Sequence, residues 1–299
     1  MKTKLLFAFL AMSVISCSDD DSNPTTPPVE KNLAQMVVKR YQNNGSIYKD
    51  VYDFDGDNKL TIVNRYDGQD ENFSKITYEY NASGLLSVAK TYGYSMGDPN
   101  QPSHVTSYTY DGSSRITGID DTESSGIEST QTITSFTYNS NNTISAVANI
   151  IAYPEEEVIK NYTFHVNADG HIVKKVDADN TILAQAVYNA GNIESYTQLS
   201  APSMSYLFNT ANTPKGDYLN INLNRFGGDF NNAILSGGFA SVGNGITNYV
   251  SQQTSTNATT SQITTYTYEF DEDGFPIKVS LYTQGSTEPF EVREITYQE

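Results

Sequence analysis

Tyr78-Glu79-Tyr80-Asn81-Ala82-Ser83-Gly84-Leu85-Leu86 carries the pattern that decides the fold. Two aromatics at i and i+2 share one face of an extended strand. Asn followed by Gly supplies the positive φ that a tight hairpin turn needs. An aliphatic six residues after the second aromatic opens the return strand. The same unit stands at Tyr52-Asp53-Phe54-Asp55, Tyr108-Thr109-Tyr110-Asp111, Phe136-Thr137-Tyr138-Asn139 and Phe164-His165-Val166-Asn167. Its second aromatic position falls at 54, 80, 110, 138 and 166, intervals of 26, 30, 28 and 28 residues. So regular a spacing is the signature of a repeat architecture. A last copy, Tyr268-Glu269-Phe270-Asp271-Glu272-Asp273-Gly274, puts Pro276 at the aliphatic position.

Working outward, the residues between and after the aromatics are Thr, Glu, Ser and Lys, which suit a wetted face. The opposite face of each pair is polar at Glu79, Thr109, Thr137, His165 and Glu269. No amphipathic helical period interrupts the repeats. The expected fold is all-β: an antiparallel meander of hairpins forming one large curled sheet or barrel-like shell, soluble and with little helix. Whether the sheet closes is left open by the pattern. The period breaks after Phe208. Tyr218-Leu219-Asn220-Ile221-Asn222-Leu223-Asn224 alternates cleanly, and an irregular Gly-rich segment follows near 225–246. That segment reads as a short helix around Asn231 to Leu235 or as a long loop, either functional or a plug of the core.

The N-terminus has a different grammar. Lys2 and Lys4 precede an apolar run from Leu5 to Ile15, too short to span a bilayer and right for a signal peptide. Val14-Ile15-Ser16-Cys17 resembles the bacterial lipobox, whose Cys becomes the acylated first residue of the mature chain. Cys17 is the one cysteine present, so no disulfide framework or thiolate metal cluster is expected. The predicted organisation is therefore a signal peptide over 1–16, an acylated Cys and flexible tether over 17–32, and a single β domain over 33–299. The tether carries Pro24, Pro27 and Pro28, and extends at ~3.1 Å per residue. Its Ser18-Asp19-Asp20-Asp21 start resembles the surface-export signal of Bacteroidetes lipoproteins; a merely solvated linker is the alternative.

Charge narrows the partners. With 18 Lys+Arg against 35 Asp+Glu, the net charge is -17. Nucleic-acid backbones need clustered cations, so no nucleic acid is expected as a partner. The membrane is expected to be reached through acyl chains on Cys17 and not through charge. A glycan or an outer-membrane protein is the remaining class of ligand.

Lipobox, Tyr-x-Tyr hairpins, Gly-rich interruption and closing unit together resemble a family of Bacteroidetes lipoproteins of unknown function, described as having a porin-like fold. The hairpins are also similar to YD (Rhs-type) repeats, with their Tyr-Asp-x-x-Gly-x-Leu core. The resemblance spans roughly residues 35–298 and implies the fold alone; it brings no catalytic residues. A membrane-spanning porin would need an outward apolar band, and the polar positions opposite the aromatics argue against one.

Motifs for chemistry are few. Asp53, Asp55 and Asp57 look like the start of a calcium loop, but Asn58 and Asn64 stand where an EF-hand needs Gly and Glu. A hairpin turn is the better reading there. His104, His165 and His171 are expected on the sheet surface and not at a zinc site, and no metal or other cofactor is expected. There is no nucleophile elbow, phosphate loop or dinucleotide fingerprint. The Tyr-x-Tyr ladder is either core or a platform for sugar rings. The function expected is a non-enzymatic envelope lipoprotein facing the cell exterior from the outer membrane, a binding or structural module. Alternatives are an accessory subunit of an outer-membrane nutrient transporter and a polysaccharide-active enzyme.

Overall fold

The computed structural model describes residues 30–93, 100–125, 128–152, 156–199, 201–209, 225–226, 230–237 and 248–298. The signal segment, Cys17, the acidic run Ser18–Asp21, the stretch Tyr218–Asn224 and the glycines 227, 228, 243 and 245 lie outside the described residues. The chain from Lys31 onward forms one unit.

Its strands in order are β1 (Leu33–Tyr41), β2 (Ile47–Phe54), β3 (Leu60–Tyr66), β4 (Asn72–Tyr80), β5 (Leu86–Gly93), β6 (His104–Tyr110), β7 (Ile116–Ser125), β8 (Glu128–Tyr138) and β9 (Thr143–Ala152). The second half holds β10 (Glu156–Val166), β11 (Ile172–Asp177), β12 (Ile182–Asn189), β13 (Asn192–Gln198), β14 (Ala201–Asn209), β15 (Tyr249–Thr256), β16 (Ser261–Phe270), β17 (Pro276–Thr283) and β18 (Glu291–Tyr297). Among the described residues one helix, α1 (Phe230–Gly237), lies between β14 and β15.

All 18 strands belong to one antiparallel sheet. Each pairs with the next, and β18 pairs back onto β1 through Met36↔Ile295, Val38↔Arg293 and Arg40↔Glu291. The sheet is a closed barrel. Closure leaves no open first or last edge, which removes the sticky ends of an open meander.

The turns at one end are built alike. An Asp or Asn side chain accepts the amides two and four residues on, as Asp55 does from Asp57 and Lys59, and Asn81 from Ser83 and Leu85. Asp111, Asn167 and Asp271 repeat this. The fourth turn residue is left-handed: Gly84, Gly170 and Gly274 where the sequence supplies glycine, and Asn58, Ser114 and Asn142 where it does not. Gly56 and Gly112 are not the positive-φ residues of their turns. Asp53, Asp55 and Asp57 thus belong to a hairpin.

Register explains why the aromatic spacing matters. Tyr52 faces Val63 and then Ile76, and Tyr78 is two residues further along β4. Tyr78 faces Ala89 and then Thr106, and Tyr108 is again two residues on. This constant stagger tilts the strands, as closure requires. It brings Tyr52, Tyr78, Tyr108, Phe136 and Phe164 to one level inside the barrel. Tyr206 and Tyr266 continue the level. The aromatics face inward and pack on the buried core, so they are not an outer platform.

Outward positions mix ion-paired side chains with exposed apolar ones, among them Val147, Ile151, Val187 and Leu207. Lys39 meets Glu294 at 2.8 Å and Lys278 meets Glu269 at 2.7 Å; Lys90 bonds Glu79. Ile133 and Ile159 are exposed, but Asn149 is the register partner between them. Among the described residues no helix is long and apolar enough to cross a membrane.

Candidate functional site

An 18-stranded barrel is too wide for side chains to fill. Here the two ends are treated differently. At the end carrying the Asp55, Asn81, Asp111, Asn167 and Asp271 turns, α1 and the short segment Arg225–Phe226 enter the barrel. Ala233, Ile234 and Phe226 are buried in the core, and the Phe226 ring meets Tyr108 edge-on at 5.5 Å.

Polar side chains of α1 lock it in place. The register slips where most of these turns rejoin the sheet, which leaves the amide of the first aliphatic off the ladder. The Ile116 amide donates to Asn232 Oδ1 at 2.7 Å, and Asn232 Nδ2 donates to the Ser114 carbonyl at 2.7 Å. Asn231 serves the next-but-one turn, accepting from the Ile172 amide and donating to the Gly170 carbonyl. The Leu86 amide donates to the Arg225 carbonyl at 2.7 Å. This is why Asn232 is fully buried though polar. Of the two sequence readings for this segment, its described part is a helix that plugs the core.

The opposite end is polar and, among the described residues, open. Along β8 the inward residues run from Thr130, exposed, through Thr132 and Thr134, half-buried, to Phe136, buried. Along β10 they run from Glu156 and Lys160, exposed, through Tyr162 to buried Phe164. Along β16 Gln262 is exposed and Thr264 is buried. The interior is therefore a cup: a wet mouth, a polar wall and an aromatic floor above the plug.

Charges on the wall are mostly paired. Arg40 bridges Asp50 at 2.8 Å and Glu291 at 3.0 Å, and Arg293 holds the other oxygen of Glu291 at 2.7 Å. Burial acts on the Arg40 guanidinium in the opposite sense, yet the bond to Asp50 and the field of both acids hold its pKa above the usual value. Further round, His104 Nε2 and the Thr106 hydroxyl both meet Asp121 Oδ1, at 2.7 and 2.6 Å. On the far wall Lys175 lies 4.2 Å from the Tyr162 ring centre. Burial, and then Lys160, depress its pKa. The floor tyrosines stay neutral: burial pushes Tyr108 up to about 12 and raises Tyr52 and Tyr206.

The histidines part company with the sequence expectation of surface positions. His165 does face outward on β10. His104 points into the cup, because it shares a row with the inward Thr91. His171 tucks against the Tyr188 ring at 4.7 Å, the stacking place that Lys59 and Arg115 take in other turns. Cys17 lies outside the described residues. The wall charges escaped the sequence reading because Asp50 and His104 stand two and four residues before an aromatic pair, and Arg40, Asp121 and Lys175 lie on other strands, all beyond the repeat motif. The period-two alignment of Asp50 and His104 with the aromatics was the available signal.

No protein-family model matches this chain, and no curated protein matches it. Among solved structures it is similar to a porin-like protein from Bacteroides uniformis, with TM-score 0.46 and 13% identity, covering 90% of this chain and 98% of that one. It is also similar to a porin-like protein from Bacteroides vulgatus, with TM-score 0.37 and 12% identity over 90% of this chain and 99% of the other. A Tc holotoxin pore structure from Photorhabdus luminescens gives TM-score 0.29 and 12% identity over 84% of this chain and 13% of the other. The structural neighbours are thus porin-like Bacteroides proteins at low identity, the group that the sequence resemblance names.

Proposed function

We propose that this protein is a lipid-anchored, non-enzymatic binding module of the outer membrane, displayed toward the cell exterior, that captures a glycan in the open cup. The observation that carries the reading is the cup itself, a wetted polar wall over a floor of half-buried tyrosines. Tyrosine suits such a floor because its ring is apolar and its hydroxyl tolerates water.

The outer wall supports a barrel bathed in water and not one embedded in lipid. A Lys at the midplane of a lipid-facing band costs about 2–4 kcal/mol, less toward the interfaces, and Lys39, Lys90 and Lys278 all stand on outward positions. Anchoring then falls to acyl chains on Cys17. The tether joins the barrel at Lys31, which bonds Asp271 and Asp273 in a turn at the plugged end. The mouth is at the other end. Binding is favoured over catalysis because three inward carboxylates are engaged by neighbours, Asp50 and Glu291 by Arg40 and Asp121 by His104 and Thr106.

A second reading, an accessory subunit beside an outer-membrane nutrient transporter, draws on one feature. β9 covers β10 from Glu156 onward, but β11 pairs with it only from Tyr162. The edge of β10 over residues 156–161 is therefore free among the described residues, and such an edge accepts another strand.

The test is protease shaving of intact cells expressing native protein or Cys17→Ala, joined to a glycan array probed with the mature domain. Shaving of the native protein alone, with retention of a glycan class, is expected. A native protein protected on intact cells but cleaved after lysis would overturn the surface placement. An array without retention would overturn the glycan reading, and crosslinking to a transporter would then favour the second.

A further inference from the structure

One row of the cup wall stands apart. Asp50, Arg65, Ser74 and Gly93 are register partners on β2, β3, β4 and β5, and all face inward. Asp50 is engaged by Arg40. Arg65 makes no hydrogen bond or ion pair among the described residues, though it lies close enough to Tyr52 to pull that hydroxyl's pKa down against burial. Beside Arg65 the wall thins to Ser74 and Gly93. A Cβ placed on Gly93 would meet no atom within 4 Å, so the wall is recessed there. The row below brings Thr91 and then His104 to the far side of the recess. Tyr78, with Arg225 stacked 5.1 Å from its ring centre, lies at the floor.

We propose that this recess binds the carboxylate of an acidic saccharide, with Arg65 as its bidentate partner; the inference rests on the cup being the binding site. A planar guanidinium presents two parallel N–H groups that match a carboxylate, and such charge-assisted pairs are the strong ones. Neighbouring acids do not compete for Arg65: Asp50 is paired with Arg40, and Asp121 is held by His104 and Thr106. The net charge of -17 does not forbid an anion here. Beyond a Debye length of about 8 Å at physiological ionic strength, exposed charges are largely screened, while Arg65 acts in contact. The sugar ring rests on Tyr52 and Tyr78, and Thr91 and Ser74 offer hydroxyls to its polar edge.

The probes are an oligogalacturonate, a neutral galacto-oligosaccharide of the same length, and sodium acetate, titrated calorimetrically into the full mature chain. The acidic oligomer is expected to bind at least tenfold more tightly than the neutral one, with acetate negligible. Arg65→Met is expected to abolish that preference and Arg65→Lys to restore part of it. Gly93→Leu places a side chain in the recess, where its Cβ meets no atom within 4 Å, and is expected to block the acidic oligomer. The outward variant Lys90→Met is expected to leave binding unchanged. Equal binding of both sugars, or indifference to Arg65→Met in a folded protein, would overturn the subsite while leaving the cup as a glycan site. Binding of neither sugar would also overturn it, and a positive glycan array would then show that the cup takes another sugar.

Discussion

The Tyr138 hydroxyl donates to the Ile116 carbonyl at 3.0 Å, while the guanidinium of Arg115 lies 4.3 Å from the centre of the same ring. The relationship recurs. Tyr80 reaches Leu60 at 2.8 Å under Lys59, and Tyr297 reaches Pro276 at 2.9 Å against Phe275. Tyr110 and Tyr268 donate to Leu86 and Val250 in the same way. Five tyrosines thus fasten one strand pair to the one before it by a hydroxyl, and three of them, Tyr80, Tyr138 and Tyr297, also by a stacked side chain.

Removing the hydroxyl alone should loosen one fastening. Tyr138→Phe leaves the Ile116 carbonyl without this donor in a half-buried setting. A loss of about 1–3 kcal/mol is expected, read as a lower urea midpoint with an unchanged m-value. Tyr80→Phe should lose a similar amount, and the double variant should be additive because the two sites share no partner.

Ser114 sits at φ 62°, a region that costs a residue with a Cβ about 1–2 kcal/mol. Glycine is free of that cost but carries about 0.5–1 kcal/mol more conformational entropy. Ser114→Gly should therefore raise stability by up to about 1 kcal/mol. Its carbonyl remains available to Asn232. Thermal melts of the two proteins check the sign.

Asn232→Ala should unlatch the plug at one point. The Ile116 amide and the Ser114 carbonyl both lose their partner, so a cost of about 1–3 kcal/mol is expected. Hydrogen exchange should speed up at Ile116 more than at Ile172, which keeps Asn231. Equal change at both sites would mean that α1 moves as a unit.

Acid should cost stability at the turns. Hydrogen bonds from the Arg115 side chain, then its amide, hold Asp111 below the ordinary aspartate value. Burial pushes Asp271 up, but bonds from Lys31 and the Phe275 amide outweigh it, so this carboxyl also titrates low. A depressed folded pKa stabilises above the unfolded value, about 3.9. That contribution fades as pH falls through the folded value. Melting temperature should thus drop below about pH 4, and Asp271→Asn should flatten part of the drop.

Much of this was legible in the sequence, and the reasons differ by element. Period-two alternation placed Glu79, Thr109, Thr137, His165 and Glu269 outside, because a strand has only two faces. The Asx turns were readable from Asp55, Asn81 and Asp111 alone. Closure was not readable: Val38 and Arg293 meet across nearly the whole chain, and no local signal encodes that. The repeat also faded after Val166, because Ala184, Ala186 and Ile193 fill the barrel where aromatics stand elsewhere. The cup's wall eluded the sequence because Arg65 on β3 and His104 on β6 come to the same side of the barrel only through the register of Ser74, Gly93 and Thr91 between them.

The seam between β18 and β1 has a further consequence. The Gln298 backbone amide donates to the Asn32 carbonyl at 2.8 Å, so the first and last strands of the barrel meet within one ladder. The joint there obeys the same two-residue stagger as every other hairpin junction. Nothing in the ring marks a beginning. A chain cut at the Asn167 turn and spliced across the old ends would meet the same sequence of neighbours. By the same logic, an inserted hairpin unit that kept the stagger would widen the bore without tilting its floor. The radius of this barrel is set by how many units are strung together, and its contents by what each unit carries at the mouth.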